Sequence, residues 1–236
     1  MEINVAVIGL GTIGSGVVEI LKKNNDLIEK RSGIKLNLKK VCDLDESAVK
    51  RLKLSKECYT KDADEVFDDP DIHIVLELIG GYEPARTFIL KALKKGKNVV
   101  TANKAVIAKH GPEIFKTAED NNANILFEAA VAGCIPVIRS LQKSYACERF
   151  SSIYGILNGT TNYILGKLEQ GMEYKDALKQ AQDLGFAEPD PTFDVEGMDA
   201  SQKLVILSSL AFNSKIEDKI HTEGISKLKR IDIQYA

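Results

Sequence analysis

The first sixteen residues constrain the fold more than any other stretch of the chain. Ile3-Asn-Val-Ala-Val-Ile8 is a short apolar run of strand type, and it passes directly into Gly9-Leu-Gly11-Thr-Ile-Gly14-Ser-Gly16. A helical pattern follows over residues 17–28. Strand, Gly-x-Gly-x-x-Gly turn and helix, in that order, open a dinucleotide-binding βαβ unit. Gly9 permits the tight turn, Gly11 lets backbone approach a pyrophosphate, and Gly14 lets the helix lie close on the strand. Thr12 and Ile13 complete the predicted phosphate cradle, where a helix start supplies free N–H groups and a positive dipole end.

The alternation continues. Residues 36–41, 72–78, 98–100 and 124–127 read as strands, and residues 83–95 and 104–121 as helices. Strands alternating with helices predict an α/β fold, a doubly wound parallel sheet of Rossmann type. Asp43 closes the second strand and is the candidate acceptor for the adenosine ribose hydroxyls, which favours NAD. Lys104 follows the strand at 98–100, at the carboxyl end where open α/β sheets bind ligands. After Pro136 the pattern changes: a longer strand at 150–157, two helices over 161–184 broken near Gly171, an acidic turn, and a helix to about Phe212. The boundary is placed at 134, giving a dinucleotide-binding domain over 1–134 and a second domain over 135–236.

The bulk numbers narrow the partners. A formal net charge of −2 gives no general electrostatic reason to bind nucleic acid or an anionic membrane, and the longest apolar runs are far shorter than a bilayer span. Met1 leads straight into the first strand pattern, so no signal or transit peptide is expected and the default location is cytoplasmic. The four cysteines (Cys42, Cys58, Cys134, Cys147) and three histidines (His73, His110, His221) are scattered, without the spacing of a transition-metal site.

The segment Gly185-Phe-Ala-Glu-Pro-Asp-Pro-Thr-Phe-Asp-Val-Glu-Gly-Met-Asp-Ala-Ser-Gln-Lys203 packs five carboxylates and one ammonium into nineteen residues, and it runs directly into an apolar helix pattern. Pro189 and Pro191 hold its first part extended. Asp199 and Lys203 are four apart and share one helix face. Such a cluster is either a solvated acidic loop with a surface ion pair or a binding site for a cation.

Residues 9–16, 101–104, 127–136, 155–165 and 185–207 together, in that order, resemble homoserine dehydrogenases. The resemblance implies NAD(P)-dependent interconversion of L-aspartate 4-semialdehyde and L-homoserine, on the route to threonine and methionine, in a homodimer. It implies that the second domain is an α+β substrate and subunit-contact domain, an open sheet with helices. The chain stops inside a helix pattern before a further strand, so this domain is expected to be incomplete and the chain truncated. In Thr101-Ala-Asn-Lys104, the resemblance puts Lys104 at the nicotinamide–substrate junction. It makes Glu188 the direct contact for the substrate ammonium, with Asp194 and Asp199 in the surrounding network and Gly185 in the same substrate segment. Thr160, in Asn158-Gly-Thr-Thr-Asn162, suits the substrate carboxylate; the alternative is that Thr160 or Thr161 caps a helix.

Reduction of an aldehyde builds negative charge on oxygen, so the site needs a cation aimed there. Lys203 is the first choice, oriented by Asp199, and Lys104 is the competing acid–base group. Carboxylates around an ammonium favour its charged form, so polarisation or a water relay is expected before simple proton donation. The resemblance also implies a monovalent cation, Na+, held by the main-chain oxygens of Glu128, Val131, Gly133 and Ile135, with Cys134 standing where glycine is frequent; a plain domain-crossing hinge is the other reading. Leu44 stands where many family members carry an arginine for the 2′-phosphate of NADP, and Lys50, Arg51 and Lys53 offer replacement charge, so NAD and NADP both stay open. Two other functions stay open as well: a related amino-acid dehydrogenase, and a catalytically inactive nucleotide-binding fragment.

Overall fold

A computed structural model describes residues 1–214 and 220–235. The chain divides into two compact units, Met1–Pro136 and Val137–Ala236, beside the sequence boundary at 134.

In the first unit six strands form one sheet: β1 (Glu2–Ile8), β2 (Lys35–Cys42), β3 (Tyr59–Thr60), β4 (Ile74–Glu77), β5 (Asn98–Thr101) and β6 (Ile125–Leu126). Every pairing is parallel, and the order is β3-β2-β1-β4-β5-β6. Helices α1 (Thr12–Ser32), α2 (Glu46–Arg51), α3 (Asp64–Asp68), α4 (Ala85–Lys94) and α5 (Lys104–Asp120) connect the strands. Val5, Ala6, Val7 and Ile8 are all buried, as expected of a central parallel strand covered on both faces. Val7, Val18, Val41, Val49 and Leu52 form one core cluster between the sheet and its helices. The chain leaves β1 in one direction for β2 and returns on its other side with β4, so the carboxyl ends of β1 and β4 flank the topological switch point.

Several boundaries differ from the sequence reading. Helix α1 begins inside the glycine turn, at Thr12, and runs on to Ser32, where Gly33 ends it at φ 72° with its N–H on the Glu29 carbonyl. The helix signal was confined to residues 17–28 because glycines mask the first turn and charged residues the last. Strand β3 and helices α2 and α3 went unread, since two to six residues carry too little periodicity.

The second unit, among its described residues, is built of helices: α6 (Val137–Arg139) running into a π-type turn at Ser140–Ser144, then α7 (Gly159–Glu169), α8 (Tyr174–Asp183), α9 (Thr192–Val195), α10 (Met198–Ala211) and α11 (Arg230–Tyr235). Ile164, Leu168, Ala177, Ala181, Ala187 and Val195 form its core, with Ile225 and Ile233 packed against it. The strand expected at 150–157 does not form. That run pairs with no strand among the described residues, and it leaves Tyr154 91% and Ile156 75% exposed. Its alternating pattern is strand-like, but a strand exists only through a ladder partner. Among the described residues no helix is long and apolar enough to cross a membrane.

Candidate active site

Two groups of residues carry chemistry, one in each unit. In the first, the glycine turn is shaped by contact. A Cβ on Gly14 would stand 1.8 Å from the Gly9 carbonyl oxygen. Gly9 itself has φ 96°, and a Cβ there would meet the Leu78 backbone at 2.8 Å. Gly11 differs: nothing lies within 4 Å of its would-be Cβ. The turn is therefore tight against protein at two glycines and open at the third, at the start of a 21-residue helix with no acidic side chain in its first turn. This is the form of an anion cradle. Thr12 and Ile13 are exposed at that helix start.

Asp43 follows β2 and reaches the same turn. Its Oδ2 accepts from the Leu10 N–H at 2.5 Å, and its Oδ1 from the Asp45 N–H at 2.8 Å. Arg51 approaches from α2, with Nη2 donating to Ser15 Oγ at 2.9 Å. Burial, with Asp43 beside it, pushes the Cys42 thiol up to about 11, so it stays neutral and is no nucleophile.

At the ends of β4 and β5 a buried polar chain fixes two loops. Glu77 is 1% exposed; its Oε1 accepts from the Ile79 N–H at 2.9 Å and its Oε2 from Thr101 Oγ1 at 2.7 Å. Thr101 Oγ1 accepts from the Asn103 N–H, and Asn103 donates to the Gly81 carbonyl while capping α5 through the Val106 N–H. Lys104, half-buried, is the first residue of α5, so its place is set by this chain. Sequence reasoning passed over Glu77 and Asn103; the readable signal was an Asn directly before a helix start.

The hinge candidates lie at 128–135, where Glu128 opens a 3-10 turn. Cys134 adopts φ 68°, in the left-handed region that favours glycine, and Ala132 φ 50°. The Ile135 N–H donates to the Ala132 carbonyl at 2.8 Å.

In the second unit a cavity of about 610 Å³ is lined by Asn158, Thr160, Tyr163, Gly185, Phe186, Asp194, Asp199 and Lys203, among others. Gly197, at φ 82°, starts α10; a Cβ there would press on Thr222 at 2.9 Å. The helix then places Asp199 in its first turn, where a carboxylate suits the dipole, and Lys203 one turn on. Lys203 Nζ donates to Asp199 Oδ2 at 2.6 Å and to the Leu157 carbonyl at 2.8 Å. The pair is largely shielded, with side chains 19% and 7% exposed. Asp194, on α9, accepts from Asn158 Nδ2 at 2.7 Å and from Thr160 Oγ1 at 3.2 Å. Asn158 Nδ2 also donates to Asp199 Oδ2 at 2.8 Å.

The structure thus brings Thr160, Gly185, Asp194, Asp199 and Lys203 together. Glu188 is exposed on the same loop and does not line the cavity. The helix cap falls on neither threonine: Asn158 caps α7, its side chain accepting from the Thr161 N–H at 2.8 Å, because an amide oxygen one residue before Gly159 reaches the free N–H of the first turn. The Thr160 hydroxyl is turned to the Phe186 carbonyl at 2.5 Å, so its one proton stays within the protein.

Two family models divide the chain at nearly the same place as the fold. The model for "Homoserine dehydrogenase, NAD binding domain" matches residues 9–128, and that for "Homoserine dehydrogenase" matches residues 136–236. The chain belongs to the homoserine dehydrogenase family. A homoserine dehydrogenase of Neisseria gonorrhoeae is 44% identical, with 99% of this chain and 54% of the relative aligned; one of Bacillus subtilis is 42% identical with the same coverages. A crystal structure of the family from Thiobacillus denitrificans is 43% identical and superposes with a TM-score of 0.92, over 100% of this chain and 55% of that one. A hyperthermophilic archaeal homoserine dehydrogenase in complex with NADPH is 28% identical, with a TM-score of 0.84 over 98% of this chain and 76% of that one. The chain spans about half the length of the curated relatives it matches.

Proposed function

We propose that this chain carries the cofactor and substrate sites of an enzyme interconverting L-homoserine and L-aspartate 4-semialdehyde. The observation that carries the reading is Lys203, held between Asp199 and the Leu157 carbonyl in a cavity of acidic and helix-start groups, within the part matched by the homoserine dehydrogenase model. A nicotinamide dinucleotide, when bound, supplies or accepts the hydride.

The first unit's residues fit that cofactor. The open Gly11 edge and the α1 start with Thr12 and Ile13 take the pyrophosphate, Gly9 and Gly14 shape the turn, and Asp43 takes the ribose hydroxyls. A carboxylate there disfavours a 2′-phosphate, so NAD is the preferred form; Arg51, at Ser15, is the cation on α2 to which use of NADP would fall. Lys104, at the start of α5, serves the nicotinamide end.

In the second unit, an ammonium has three donors, and two of those on Lys203 are taken. The third is available to the substrate's carbonyl or alkoxide oxygen, where it stabilises the charge built in the transition state. The proton moves to that oxygen from Lys203 or from water it orients. Asp194 and Asp199, with Glu188 from the adjoining loop, attract the substrate ammonium, and the α7 start beside Thr160 and the Gly185 segment receive its carboxylate. Main-chain oxygens of Glu128, Val131, Gly133 and Ile135 are the proposed seat of Na+, and a cytoplasmic homodimer is the proposed working form.

The test is purified protein supplied with L-homoserine and NAD+ or NADP+, followed by NAD(P)H absorbance. Lys203→Ala is expected to lower turnover by roughly 100-fold or more, the scale of a lost oxyanion donor, with NAD(P)H affinity unchanged. Near-normal turnover in that variant would remove Lys203 from the mechanism.

A further inference from the structure

We infer that Asn158 is a positioning residue, whose side-chain amide sets the geometry of the Asp199–Lys203 pair by donating to Asp194 and Asp199 at once. The inference rests on the reading of the second-unit cavity as the homoserine site. It starts from an orientation that the surroundings dictate. The Thr161 N–H, free in the first turn of α7, needs an acceptor, and the Asn158 oxygen supplies it at 2.8 Å. The amide is planar, so its NH2 must face the other way, where its two hydrogens go to Asp194 Oδ1 at 2.7 Å and Asp199 Oδ2 at 2.8 Å. The residue is 6% exposed, too little to exchange these partners for water.

The arrangement solves an electrostatic problem. Two carboxylates near one lysine repel each other. A second cation would hold them apart but would compete with Lys203. The neutral NH2 holds both without adding charge, and among the described residues lining the cavity Lys203 is the only cationic side chain. Asp199 Oδ2 receives Asn158 and Lys203 together, so the amide fixes the direction from which Asp199 grips the ammonium. Replacing the amide removes that constraint on Asp199, and the third donor of Lys203 loses its aim.

The cap and the bridge can be separated. Serine and aspartate cap helices about as well as asparagine. Serine has one short donor, which cannot serve both carboxylates, and aspartate has none when ionised. Asn158→Ser and Asn158→Asp are therefore compared with the unaltered protein for melting temperature, NADH affinity by cofactor fluorescence, and kcat and KM for L-homoserine. The expected result is a fall of roughly 30-fold in kcat/KM for homoserine in each, the scale of hydrogen bonds lost to charged groups, with NADH affinity unchanged. Full kcat/KM in either folded variant overturns the inference, whatever its melting temperature. Absence of homoserine turnover and binding in the unaltered protein instead removes the substrate reading, and this inference with it.

Discussion

Gly14 and Gly11 show how differently two residues of one motif are held in place. At Gly14 the protein itself forbids a side chain, since a Cβ would overlap the Gly9 carbonyl oxygen; at Gly11 no protein atom stands in the way. Gly14→Ala should therefore cost about 3 kcal/mol of stability and weaken NADH binding, both read from thermal melts with and without cofactor. Gly11→Ala should leave the melt of the free protein nearly unchanged and weaken binding alone. The glycine spacing was legible in the sequence because such turns are local. The Asp199–Lys203 pair was legible for the same reason, as an i,i+4 spacing on one helix. Asn158 was not, because its partners lie 36 and 41 residues away and an Asn before Gly-Thr-Thr reads only as a helix start. Glu77 was hidden too: a lone acid in an apolar run gives no sign that Thr101 will supply its donor.

At the scale of elements, the long ones announce themselves and the short ones do not. Helices α4, α5, α7, α8 and α10 carry enough turns for their periodicity to show, whereas β3 and α9 exist because neighbouring structure holds them: β3 borrows the end of β2, and the Ile225 N–H pins α9 through the Val195 carbonyl at 2.7 Å. The run at 150–157 errs the other way, since its pattern is that of a strand while the partner that would make it one is absent among the described residues. Caps make elements testable. Asn103 both caps α5 and holds the Gly81 carbonyl, so Asn103→Ala should cost about 2 kcal/mol, near the upper end for a cap. Asn103→Asp, which keeps the cap and loses the tether, should recover about half of that in denaturant unfolding.

For the molecule as a whole, each unit has its own apolar core, and the six-stranded sheet is complete within residues 1–136. A fragment ending at Pro136 is accordingly expected to fold alone and bind NADH with an affinity within about tenfold of the full chain's, one factor of ten being about 1.4 kcal/mol of binding free energy; circular dichroism and cofactor fluorescence check it, and an unfolded fragment would show that the sheet depends on the second unit. The Rossmann half was legible apart from β3, α2 and α3 because parallel strands, helices and the glycine turn repeat a local grammar, while the second half depends on contacts between distant segments. One of those contacts, the Asn158 amide on Asp194 and Asp199, should govern how the second unit responds to heat. The amide that starts α7 also tethers its acids, so loosening that single turn unfastens both. Homoserine turnover, the proposed activity, should consequently fade at temperatures where spectroscopic signs of denaturation have yet to begin.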